Sequence, residues 1–306
     1  MYDTLNFHMA GIEPGQVLPL LDPKTAREVA RVIDGKVWYQ GNMKGGLFAQ
    51  CSVSAGLKVS GSIAKFAKGS NAVALTLGEF REAVQELESL FGCSLAAARV
   101  SRMDCGVTVS VPSECKTYLS SMAGLDGFTR GEMDSGLYYW QKAKAVAIYD
   151  KAAELREHGE QVPEPFTVGG ALRVEVRHMK RLTERYGGGK GKAVTLARLQ
   201  EGEFWNAQLE HIWRTVAAIN IGERPKMDSV KTAKDFANLV YRCGVQSMGE
   251  DCAMSVLHKC WKAGGMSESA YKRGRRKVRI AMQSDGGKQG EEFRESVRGG
   301  LERLRV

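Results

Sequence analysis

The run RVSRMDCGVTVSV, residues 99–111, decides how the fold is read. Side chains two apart on a strand point to the same face of a sheet. One face of this run carries Met103, Cys105, Val107, Val109 and Val111, and the other carries Arg102, Asp104 and Gly106. The division recurs twice downstream. Val146 and Ile148 face the core while Ala147, Tyr149 and Lys151 face away, and Leu172, Val174 and Val176 face the core while Arg173, Glu175 and Arg177 face away. Three such strands in one antiparallel sheet share an apolar face for helices to cover. The opposite face then presents Arg102, Asp104, Tyr149, Lys151, Arg173 and Glu175.

The surrounding segments fit that architecture. Tyr2 to Met9 suits an opening strand, and Leu47–Val53 and Leu57–Ile63 flank a Ser54-Ala55-Gly56 turn as a hairpin. Thr76 and Glu79 form a capping box for a helix to Phe91, which Gly92 ends. Pro112 opens a second helix through Met122, and Leu137–Trp140 with Ala143–Tyr149 form a second hairpin before the strand Ala171–Met179. Val194–Ile219 and Asp228–Lys262 carry helical periodicity, Gly264-Gly265 breaks it, and Glu268–Gln283 forms another helix. Ser284-Asp285-Gly286-Gly287 reads as a linker before a short charged tail. The predicted class is α+β: an antiparallel sheet with helices on one face, then a helical C-terminal region. Residues 1–190 form a catalytic domain and residues 191–306 the helical region with a basic segment.

Composition bounds the partners. The 306 residues carry a net charge of +9, with 43% hydrophobic and 26% charged residues, as in an ordinary globular protein. From Tyr271 to Val306, 11 Lys+Arg against 5 Asp+Glu give +6 of that charge. Its centre is Lys272, Arg273, Arg275, Arg276, Lys277 and Arg279, a cluster suited to phosphates or to a solvated helix face. No apolar stretch is long enough to span a membrane, and the N-terminus lacks the pattern of a secretory signal. Seven cysteines without a C-x-x-C suit reduced thiols in a cytoplasm. Cys243, Cys252, His258 and Cys260 match no common zinc spacing, and GGGKGK at 187–192 lacks the Gly-Lys-Ser/Thr ending of a phosphate loop.

The polar face is chemically coherent. Carboxylates hold hard divalent cations such as Mg²⁺ or Mn²⁺. Cations polarise a phosphodiester, and a tyrosine hydroxyl makes a covalent phosphotyrosine. Lys151 would supply a positive charge beside Tyr149 or take its proton. A solvated sheet face, polar by default, is the alternative on pattern alone.

At these residues the chain resembles the replication initiators of filamentous phages and related plasmids, of the gene II/X type. Four segments carry the resemblance in order: MYDTLNF at the start, Arg102-Met103-Asp104 within VSRMDCGV, Tyr149-Asp150-Lys151-Ala152-Ala153-Glu154, and Arg173-Val174-Glu175-Val176-Arg177. It covers roughly residues 1–220. The resemblance implies a sheet like a nucleotidyl-transfer palm, Tyr149 as nicking nucleophile, and Asp104 and Glu175 as metal-binding carboxylates with Glu154 as a third. Lys151, Arg102, Arg173 and Arg177 would support phosphate binding. It implies a rolling-circle nicking and rejoining reaction in a bacterial host cytoplasm, on duplex and single-stranded origin DNA, with a host helicase and polymerase and an open question of self-association.

Other readings stay open here. A mobilisation relaxase shares the tyrosine chemistry. A non-catalytic nucleic-acid module would stack bases on aromatic residues, and the polar face as read here is acidic and basic instead. Phe236, Leu239, Val240 and Cys243, with the basic segment, suit a helix-turn-helix-like reader of duplex origin. Tyr138 and Tyr139 read as packing residues, with a second nucleophile as the alternative.

Overall fold

The computed structural model describes all residues except 32–35, 165, 181, 187–192, 222–231, 249 and 284–286. The GGGKGK segment and most of the expected linker lie outside the described residues. Twelve strands are described: β1 (Tyr2–Met9), β2 (Arg27–Arg31), β3 (Lys36–Asn42), β4 (Phe48–Ser52), β5 (Gly56–Ser62), β6 (Arg99–Val111), β7 (Met122–Leu125), β8 (Thr129–Met133), β9 (Gly136–Trp140), β10 (Lys144–Asp150), β11 (Gly170–His178) and β12 (Ile219–Ile221). The helices are α1 (Pro14–Val17), α2 (Ile63–Lys68), α3 (Leu77–Phe91), α4 (Cys115–Ser121), α5 (Lys151–Glu157), α6 (Leu182–Tyr186), α7 (Leu196–Leu199), α8 (Gly202–Ala217), α9 (Ala233–Met248), α10 (Glu250–Lys262), α11 (Glu268–Gln283) and α12 (Gly287–Glu302).

Ten strands form one antiparallel sheet in the order β2-β3-β4-β5-β1-β6-β11-β10-β9-β8, and β12 pairs with β7 apart from it. The architecture is α+β, as the alternation predicts. The apolar side chains of β6, β10 and β11 meet α3, α8 and α12 in one core. At its centre Tyr2 packs edge-on against Phe80 and Trp205, with ring centroids 4.8 and 5.0 Å away. The predicted capping box of α3 is present, and Gly92 closes the helix at φ 67°, a left-handed conformation that glycine adopts without a Cβ clash.

Three expectations need correction. Pro112 does not start a helix: α4 begins at Cys115 and the chain turns into β7 at Met122. The periodic stretch to Ile219 is two helices and a strand, split at Gln200-Glu201. Most consequentially, the end of the chain is no loose tail. α12 buries Phe293, Val297 and Leu301, spaced four apart, with Leu304 beyond the helix end, and packs across β6. Gly300 permits the contact: a Cβ there would sit 2.8 Å from the Val109 side chain. The main core therefore continues past residue 190, through α8 to α12. Helices α9, α10 and α11 make a separate small core around Val245, Ala253, Val278 and Ala281.

Candidate active site

The sheet register brings the motif residues together. Tyr149 lies opposite Arg173, Ala147 opposite Glu175, Arg173 opposite Thr108, Glu175 opposite Gly106 and Arg177 opposite Asp104. All project from the face away from the main core, since cross-strand partners share a face. The missing side chain of Gly106 makes room for Glu175, whose Cγ would lie 2.9 Å from a Cβ at that position.

Glu175 is the hub. Its Oε1 accepts from the Tyr149 hydroxyl at 2.9 Å and from Arg173 Nε at 2.7 Å, and its Oε2 accepts from Arg177 Nε and Nη2 at 2.9 and 2.7 Å. Asp104 accepts a two-pronged bond from Arg102, at 3.1 and 2.6 Å. Arg173 is 1% exposed and spends all three nitrogens on the protein: on Glu175, on Asn71 O and Thr108 Oγ1, and on Asp3 Oδ2 at 2.7 Å. It braces the site from beneath and has no nitrogen left unengaged for a DNA phosphate. Arg102 and Arg177 reach solvent in part, with side chains 35% and 26% exposed.

The electrostatics follow from burial and pairing. Burial alone would raise the Glu175 pKa, but Arg173 and Arg177 outweigh it and hold the carboxyl at about 2. Burial raises the Tyr149 pKa above the usual tyrosine range, and the neighbouring Glu175 charge raises it further. The phenol therefore keeps its proton at neutral pH and donates it to Glu175. Asp104 is raised by burial against the opposing pull of Arg102.

The match to a known family spans these same strands. A family model for the N-terminal part of the gene II type of phage replication-associated protein matches residues 1–208. The chain belongs to this family. A search of curated proteins finds no match. The family model covers the whole sheet that carries the motif residues and ends inside α8. Helices α9 to α12 of this replication-associated protein lie beyond it.

Two predicted residues sit differently in this replication-associated protein. Lys151 is not a continuation of the strand: Asp150 accepts from the Ala153 N–H, caps the N-terminus of α5, and turns the chain at Lys151. The Lys151 ammonium is fully buried, bonded to Glu154 Oε2 at 2.5 Å and to Asn71 Oδ1 at 2.8 Å. Burial lowers its pKa, with Glu154 opposing. Glu154 thus belongs to Lys151 and not to the Asp104–Glu175 pair. Among the described residues no three His, Cys, Asp or Glu side chains gather as a metal site. The implied ligands Asp104, Glu175 and Glu154 are each neutralised by a cation of the chain, so this arrangement does not fit a divalent ion.

The sequence reading passed over three residues of the network: Asp3, Asn71 and Thr108. Asp3 carried a signal only once its burial is known, since a buried carboxylate needs a partner. Asn71 and Thr108 carried none. The site face is also not wholly acidic and basic, because Tyr138 and Trp140 of β9 lie on it, opposite Ala147 and Ala145. Tyr139 points to the core and is buried.

The basic segment lies elsewhere, on α11. Lys272, Arg273, Arg275, Arg276, Lys277 and Arg279 are exposed, while Val278 and Ala281 of the same helix face α9 and α10. Among the described residues no helix is long and apolar enough to cross a membrane.

Proposed function

We propose that this protein is a rolling-circle replication initiator that nicks one DNA strand with Tyr149 and later rejoins it. The observation that carries the reading is the Tyr149 hydroxyl bonded to Glu175, with Arg177 on the same carboxylate. The family supports a role in replication.

In this reading the Tyr149 oxygen attacks the phosphorus. A phosphotyrosine bond forms, the bond from phosphorus to the 3′ oxygen breaks, and the departing 3′ oxygen takes a proton. The product is a 5′-phosphotyrosine and a 3′-hydroxyl that primes synthesis. The resting site holds the nucleophile protonated, and an arriving phosphate changes that. The partly exposed Arg177 turns from Glu175 to the phosphate oxygens. Glu175 then loses one of the two cations that depress its pKa and becomes able to accept the tyrosine proton. Arg102 offers a second phosphate contact beside it. Rejoining is the reverse attack by a 3′-hydroxyl on the phosphotyrosine.

The exposed basic face of α11 supports a second contact, with duplex DNA. Helices α10 and α11 are joined by a five-residue turn in which Gly264 has φ 75°. Unwinding and synthesis are assigned to a host helicase and polymerase. Mg²⁺ or Mn²⁺ dependence belongs to the test.

The deciding experiment incubates the protein with a random pool of single-stranded oligonucleotides, with Mg²⁺, with Mn²⁺ and with a chelator. Mass spectrometry then seeks a peptide–nucleotide adduct. An adduct on Tyr149 supports the reading, and an adduct that persists in Tyr149→Phe refutes it.

A further inference from the structure

Strand β9 has an unusual pattern for the side of a sheet that faces solvent. Leu137 and Tyr139 enter the core, but the opposite face carries Tyr138 and Trp140, not polar residues. Trp140 is 40% exposed. Its ring is not splayed by accident: it lies over Gly131 of β8, where a Cβ would come within 2.8 Å of the indole. The glycine leaves room for the ring against β8. Tyr138 is half-buried, and the Arg177 guanidinium stands 5.5 Å from its ring centre. The two rings are 6.1 Å apart and tilted by 36°, so neither covers the other's face.

Their position relative to Tyr149 is set by the register. Tyr149 pairs with Gly136, which has no side chain, and a Cβ there would lie 2.5 Å from the Tyr149 Cβ. Tyr138 and Trp140 follow two and four residues later on the same face. Each step of two residues advances about 6.8 Å along a strand. The nucleophile and two aromatic rings therefore form a row, with the small residues Ala145 and Ala147 as its floor and Arg177 and Arg102 along one side.

We propose that Tyr138 and Trp140 are a base-stacking platform for unpaired nucleotides next to the bond that Tyr149 cuts. This rests on the nicking reading and deepens it by naming the form of DNA the site takes. Aromatic faces accept any base, and cations beside them follow the phosphates, which is how single strands are held without reading sequence. A duplex hides its base faces, so the platform selects single-stranded DNA. Arg177 links the two parts: it lies against the Tyr138 ring and bonds Glu175, so a strand laid on the platform places a phosphate where Arg177 can leave the carboxylate for it.

The test uses the full chain and a fluorescent (dT)12 strand, with binding followed by anisotropy. A 12-base-pair duplex is measured in parallel. Trp140→Ala and Tyr138→Leu each weaken binding of the single strand about tenfold, while Trp140→Phe stays near the parent and duplex binding does not change. Far-UV circular dichroism and the melting temperature show that each variant is folded. Single-strand binding within twofold of the parent in both Trp140→Ala and Tyr138→Leu overturns the proposal. So does an equal loss of duplex and single-strand binding. Adduct formation on Tyr149 is scored separately. If adduct forms and the variants bind normally, the platform fails and the nicking reading stands. If no adduct forms but the variants lose single-strand binding, the nicking reading fails and the platform stands.

Discussion

Replacing Glu175 by Gln tests the hub of the site from two sides at once. The substitution keeps the size of the side chain and one acceptor oxygen but removes the negative charge. Arg173, 1% exposed, then retains Asp3 as its ion-pair partner and faces an amide where a carboxylate stood. Removing one member of a buried ion pair typically costs 3–5 kcal/mol, and the remaining Asp3 pair places this case near the lower end, at about 3 kcal/mol. For a chain of this size that corresponds to a fall in Tm of about 5 °C. The same change acts on Tyr149 in the opposite sense. The Glu175 charge is, after burial, the main influence holding the Tyr149 proton in place. Without it, Tyr149 ionises at lower pH. Differential scanning calorimetry at pH 7 reads the first effect. Tyrosinate absorbance at 295 nm, taken as the difference from the matching Tyr149→Phe protein, reads the second. An unchanged Tm would refute the bracing role. A Tyr149 titration that stays in place or moves upward would refute the electrostatic account.

Other outcomes follow from the same geometry. The buried His178 stacks at 5.4 Å on the half-buried His211, and burial holds both neutral with pKa values of about 3 and 4. The unfolded chain binds protons on both near pH 6.5, so their contribution is complete above that pH and is lost as pH falls toward 4. Melting curves between pH 7 and 4.5 should show the loss, and a His211→Phe protein should show a shallower slope. Removing Arg276 and Arg279 from the exposed face of α11 should lower the salt dependence of duplex binding by about one unit of log–log slope each while leaving single-strand binding in place. Equal loss on both substrates would count against separate surfaces. Gly300→Val should destabilise by about 1–3 kcal/mol, because the added atoms meet Val107 and Val109 and lift α12 from the sheet. A melting temperature at or above the parent's would show that α12 does not need that close approach.

Much of the site was legible from the chain because a strand's two-residue period is local. It assigned Arg102, Asp104, Tyr149, Arg173 and Glu175 to one face before any partner was known, and the structure places them on one face of adjacent strands. The same period misassigned Lys151, because the cap one residue earlier outweighs it: Asp150 ends the strand and starts α5. The tail was misread for a related reason. Its four apolar positions are diluted by glycines and charges, and only the facing sheet shows that Phe293, Val297, Leu301 and Leu304 are one buried stripe.

The sequence by itself determined the α+β class, the two-faced strands and the polar residues that share one face. Tertiary structure alone decided their state. Asp3 and Asn71 reach Arg173 across separations of 170 and 102 residues, and no local pattern encodes such a pairing. Those contacts turn Arg173 from a phosphate ligand into a brace and leave Arg177 as the arginine bonded to Glu175 that reaches solvent. Burial and the Glu175 charge hold Tyr149 protonated. Periodicity names a face, but only the packed neighbours fix how much water and charge each group on that face meets, and hence what it can do.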